Sequence, residues 1–82
     1  MRVLIGQVIQ DKNILNTVQM TYADKKGFFV ALVNICDELD VDIPIWTAME
    51  EKLLDKKGEV LVPLEQGGFL RISHASQGSY VQ

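Results

Sequence analysis

The chain is short of several things, and each shortage closes a class of function. It has one cysteine, Cys36, and one histidine, His74. A lone thiol cannot staple a subunit, whereas a secreted domain of this size usually carries several. A lone histidine, with no cysteine close to it in sequence, does not suggest zinc. Cations are also few: 8 Lys and Arg against 11 Asp and Glu give a net charge of -3. That lacks the basic footprint of a nucleic-acid binder and the attraction to an anionic membrane surface. No apolar run reaches the roughly 18 residues of a spanning helix. The opening "MRVLIGQVIQDKN" has one positive charge and is interrupted by Gln7 and Gln10, unlike a signal peptide. The combination predicts a cytoplasmic protein, with neither membrane nor nucleic acid as its partner.

What remains suits one small folded domain: 82 residues, 48% hydrophobic and 23% charged. The expected domain spans 1–74, with a polar tail over 75–82. A chain of this length buries only about 60% of its unfolded surface, so its stability margin is thin.

Periodicity sets the element order. "RVLIGQVIQ" reads as a strand apolar on both faces, "DKN" as a turn, and "ILNTVQMTY" as a half-buried strand. In the second strand, Ile14, Val18, Met20 and Tyr22 should share one face. Asp24 is placed to cap a helix over 24–39, and "DVDIPIW" should break it, since the residue before Pro44 is driven extended. "TAME", Thr47 to Glu50, has capping-box spacing and places a second helix over about 45–56. Gly58 is its natural stop. "EVLVPLEQGGFLRIS" holds two further strands around "EQGG", the first kept to an edge or ended by Pro63. The order β-β-α-α-β-β predicts an α+β fold: one antiparallel sheet, two helices on one face, and terminal strands meeting within the sheet.

The segment "KGFFVALVNICDEL" carries the main functional signal. On a helical wheel Phe28, Ala31, Leu32, Ile35 and Leu39 form a central stripe, flanked by Phe29, Val33 and Cys36. Asn34, Asp37 and Glu38 hold the polar side, with Val30 among them. The apolar arc is roughly 200°, where about 100° suffices for a one-sided surface helix. A single sheet face cannot cover it. Either the second helix packs on the Phe29–Val33–Cys36 flank, or that flank is an interface.

Candidate chemistry is thin. Cys36 lies near the C-terminal end of the helix, where the dipole opposes a thiolate, and reads as a structural core residue. "DELDVD" gathers Asp37, Glu38, Asp40 and Asp42 but lacks the central glycine and distant glutamate of a calcium loop. "EQGGFL" has no following Lys-Ser/Thr, so Gly67 and Gly68 mark a hairpin rather than a phosphate loop. Trp46, beside Pro44, either closes one end of the core or lines a groove.

From Phe28 to Trp46 the chain reads "FFVALVNICDELDVDIPIW". With the hairpin before it and "TAMEE" after it, this resembles a group of small uncharacterised proteins of Gram-positive bacteria. Those proteins have a strand pair, an F-x-x-A-L-x-x-L-C-x-E-L-D helix, a P-x-W turn and a second helix. The matching positions are Phe28, Ala31, Leu32, Ile35, Cys36, Glu38, Leu39, Asp40, Pro44 and Trp46. The likeness covers about two-thirds of the chain, fades after Gly58, and implies a shared fold and a bacterial cytoplasmic setting, with no activity.

The leading expectation is therefore a non-enzymatic interaction domain. It would form a homodimer or dock on a protein partner through Phe29, Val33 and Trp46, and would need no metal or cofactor. The alternative is a small-ligand binding or regulatory protein with a pocket near Trp46.

Overall fold

The computed structural model describes residues 1–75. Strands β1 (Arg2–Gln10) and β2 (Asn13–Tyr22) form a hairpin, followed by helices α1 (Lys25–Leu39) and α2 (Ala48–Lys57) and by strands β3 (Glu59–Pro63) and β4 (Phe69–His74). The strands make one antiparallel sheet in the order β2-β1-β4-β3. The terminal strands β1 and β4 thus lie at its centre, and both helices cover one face. This is the α+β arrangement expected from the element order. Beyond Ala75, the polar tail expected over 75–82 lies outside the described residues.

Cross-strand partners share a face, so register identifies the core layer. Val18, Gly6, Ile72 and Val60 form one transverse row beneath the helices, and Val8, Leu70 and Val62 form part of the next. Above them sit Phe28, Ala31, Leu32, Ile35, Cys36 and Leu39 of α1, and Leu54 of α2. On the opposite face Arg71 bridges the strands: it pairs with Glu59 and donates to Gln7 Oε1 at 2.9 Å. Gln7 in turn donates to Thr17 at 3.4 Å.

Two corrections concern β2 and α1. Val8 pairs with Asn16 but Ile9 pairs with Ile14, so Leu15 is an extra residue in the ladder. This bulge reverses the facing of everything before it. Ile14 therefore joins Ile9 and Phe69 on the outer face, instead of sharing a face with Val18, Met20 and Tyr22. At the other end of α1, Pro44 does not stop the helix. Asp40 adopts a left-handed conformation with φ 57°, donating to Asp37 O, while Val41 N donates to Cys36 O at 3.0 Å. That pair of bonds satisfies the terminal carbonyls four residues before the proline.

The other helix ends use the caps that the sequence offers, with one shift of boundary. Asp24 accepts from Gly27 N at 2.7 Å and starts α1. Thr47 Oγ1 accepts from Met49 N at 3.2 Å, and Glu50 Oε1 accepts from Thr47 N at 2.6 Å. Helix α2 accordingly begins at Ala48, later than the expected 45, because Thr47 caps it and leaves Ile45 and Trp46 in the connection. Gly58, with φ 78°, ends it.

Gly6 fixes where α1 sits. A Cβ there would lie 2.2 Å from Ile35 Cγ2, so the helix rests on bare backbone in the middle of β1. Helix α1 packs over β1 and β2, and α2 over β3 and β4. We expect Gly6→Ala to destabilise the fold by about 1–3 kcal/mol, the usual cost of overpacking. Urea denaturation of the variant beside the parent protein measures this directly, and an unchanged midpoint would show that the helix is not seated there.

Candidate functional site

Covering one half of the sheet each, the helices leave the outward side of α1 without a neighbour. Helix α2 does not shelter the flank, because it lies over β3 and β4. Near the first turns of the two helices Lys25 and Glu51 lie 3.7 Å apart. Of the flank residues, Cys36 is fully buried, but Phe29 is 40% and Val33 44% exposed. Val30, left on the polar side of the wheel, is 58% exposed. The apolar girdle of α1 thus divides into a buried half facing the sheet and an open row of Phe29, Val30 and Val33.

Two shallow hollows continue this row. Phe29, Val30, Val33 and Asn34 line one of about 260 Å³. Val33 and Asn34 also wall the next, of about 290 Å³, which Asp37, Val41, Asp42 and Ile43 complete. Ile43 is itself exposed. The row therefore runs from the second turn of α1 to the loop beyond its end.

Trp46 is half-buried and sits against Phe28, with ring centroids 5.4 Å apart. Phe29 also touches Phe28, edge to face at 5.4 Å. Two of the three expected interface residues, Phe29 and Trp46, are joined in this way through one buried ring, whereas Val33 lies further along the helix. The indole Nε1 of Trp46 is buried with no hydrogen-bond partner among the described residues. An unpaired buried donor costs about 1–3 kcal/mol, so the ring is held there by packing.

A cleft of about 280 Å³ opens between the first turn of α1, α2 and the ends of the central strands, walled by Arg2, Tyr22, Phe28, Glu51, Asp55 and His74 among others. Trp46 is not one of its walls but packs on Phe28, which is. Within it Tyr22 and His74 are hydrogen bonded through Oη and Nε2 at 2.5 Å. Fifty-two positions separate them in sequence, and only the β1–β4 pairing brings them together, so nothing local in the chain announced the contact. Burial holds His74 below the ordinary imidazole value, helped by the charge of Arg2 and opposed by Asp55. Burial likewise raises Tyr22.

Cys36 is walled into the core, and burial pushes its thiol up to about 11. A thiolate nucleophile requires the reverse shift. His74 is hydrogen bonded to Tyr22, and among the described residues no hydrogen bond joins it to Cys36. Asp37, Glu38, Asp40 and Asp42 are exposed around the end of α1. Among the described residues no three His, Cys, Asp or Glu side chains converge as metal ligands. No helix among them is long and apolar enough to cross a membrane.

Comparison of the chain with protein-family models, curated proteins and solved structures returned no match.

Two measurements follow from the titrating groups. Cys36 should resist alkylation at about pH 8 in the folded protein and react at once in denaturant; rapid labelling of the native chain would contradict its burial. His74 has a folded pKa below its unfolded value, so the unfolded chain binds the extra proton first. Its contribution is complete above the unfolded value of about 6.5 and is lost as pH falls from there through the lower folded value. Stability should decline on acidification through that window, and His74→Gln should flatten that part of the profile, as measured by urea midpoints.

Proposed function

We propose that this protein is a non-enzymatic interaction domain that associates with a second copy of itself through the outward side of α1. One observation supports this above others: Phe29, Val30 and Val33 stand exposed together on a helix whose opposite side is already fully used. A solvated helix face is normally polar, and complete burial of a Phe or Val side chain is worth about 1.5–3 kcal/mol. For a domain whose total stability is of the order of 5–15 kcal/mol, that is a substantial reserve left to an intermolecular contact. Closed two-fold dimers are the commonest way to use such a face. Trp46 supports the margin of this surface by packing on Phe28, and a cytoplasmic setting agrees with the single buried thiol. The resemblance to small proteins of Gram-positive bacteria belongs to the same proposal.

The alternative, small-ligand binding near Trp46, has one observation in its favour. Phe28 is both a wall of the Tyr22–His74 cleft and the ring against which Trp46 packs. The cleft carries charges of both signs and offers no converging set that selects a ligand, so self-association is the stronger reading.

Size exclusion with light scattering at increasing concentration should give a mass rising above that of one subunit. Phe29→Glu and Val33→Glu should return it to one subunit while the far-UV spectrum stays native. A single-subunit mass for the parent protein at millimolar concentration would remove the proposal, and unfolding of both variants would identify the row as ordinary core.

A further inference from the structure

Apart from the capping carboxylate of Asp24, the charges at the two ends of α1 are placed against its own dipole. Its first turn has Lys25 and Lys26 and no acid, while its last turn has Asp37 and Glu38 and no base. The N-terminal end of a helix is electropositive and the C-terminal end electronegative, and each misplaced charge forgoes about 0.3–1 kcal/mol. Helix α2 follows the favourable pattern, with Glu50 and Glu51 in its first turn and Lys56 and Lys57 in its last. Lys25 is engaged by Glu51. Lys26, Asp37 and Asp42 form no ion pair among the described residues.

Lys26, Val30, Val33 and Asp37 are spaced four, three and four apart. At 3.6 residues per turn they fall within about 60° of arc, opposite the buried stripe. That spacing is the seam of two helices packed at about +20°. The row is symmetric about its midpoint in position and opposite in charge. Resting on the self-association reading above, we infer that α1 packs antiparallel on α1 of a second copy, with the two-fold axis between Val30 and Val33. Val30 then meets Val33 of the second copy, and Lys26 meets its Asp37.

The hollow at the end of the row fits this occupant. Val33, Val41 and Ile43 supply apolar walls, and Asp37 and Asp42 supply carboxylates. A lysine has the matching form, an aliphatic stem with a charged head. Two such contacts form by symmetry, and each basic helix start comes to lie beside an acidic helix end. A parallel packing would set Lys26 against Lys26 and Asp37 against Asp37.

Charge reversal tests the register. Lys26→Glu and Asp37→Lys place like charges at both contacts, and each should weaken dimerisation roughly tenfold. The double variant Lys26→Glu/Asp37→Lys should restore the parent dissociation constant in sedimentation equilibrium. Neither change should unfold α1, because each improves the match to the helix dipole. A double variant as weak as the single ones, or single variants as tight as the parent, would overturn the antiparallel register. If Val33→Glu still dissociated the dimer in that case, the self-association reading would stand alone. A parent protein that is a single subunit at millimolar concentration would overturn both.

Discussion

Ile35 rests on β1 at the one place where that strand has no side chain, and much else is arranged around this contact. With Gly6 beneath it, α1 approaches the sheet closely enough to bury Leu32, Ile35 and Cys36 almost completely. The same contact centres the helix over β1 and β2 and leaves the other half of the sheet to α2. Small domains have little core to distribute, and this division spends one helix on each half. Its consequence is that neither helix covers the back of the other.

That consequence links packing to the proposed function. A helix that is apolar on its buried side and partly apolar on its outward side is stable only at the margin when alone. The outward row is bounded by charges that oppose the dipole of their own helix. Local rules are most often broken in folded proteins where another requirement prevails. In the proposed dimer the intramolecular cost and the exposed valines have one account, a second α1 running the other way. The Tyr22–His74 cleft lies outside this argument. It couples the first hairpin to the last strand, and its part-buried imidazole ties that coupling to pH.

Much of this was legible in the chain. Alternation defined the strands, Asp24 and the Thr47–Glu50 spacing marked the helix starts, and Pro63 forecast the edge position of β3. The excess apolar arc of α1 was visible on a wheel, including the anomalous Val30. The missed features have specific causes. A bulge at Leu15 leaves the alternating pattern of β2 unbroken while reversing its facing, so alternation alone places Ile14 on the wrong side. Asp40 in a left-handed conformation ended α1 without the glycine that usually signals it, and Pro44 took the credit. The choice of α2 for the β3–β4 half, and the meeting of Tyr22 with His74, depend on strand order, which no local pattern encodes.

The account is tested most directly by an isotope-filtered nuclear Overhauser experiment on an equimolar mixture of labelled and unlabelled protein. It predicts intermolecular contacts between the methyl groups of Val30 and those of Val33 from the other copy. Intermolecular contacts of Val30 with Val30 alone, or none at millimolar concentration, would contradict it.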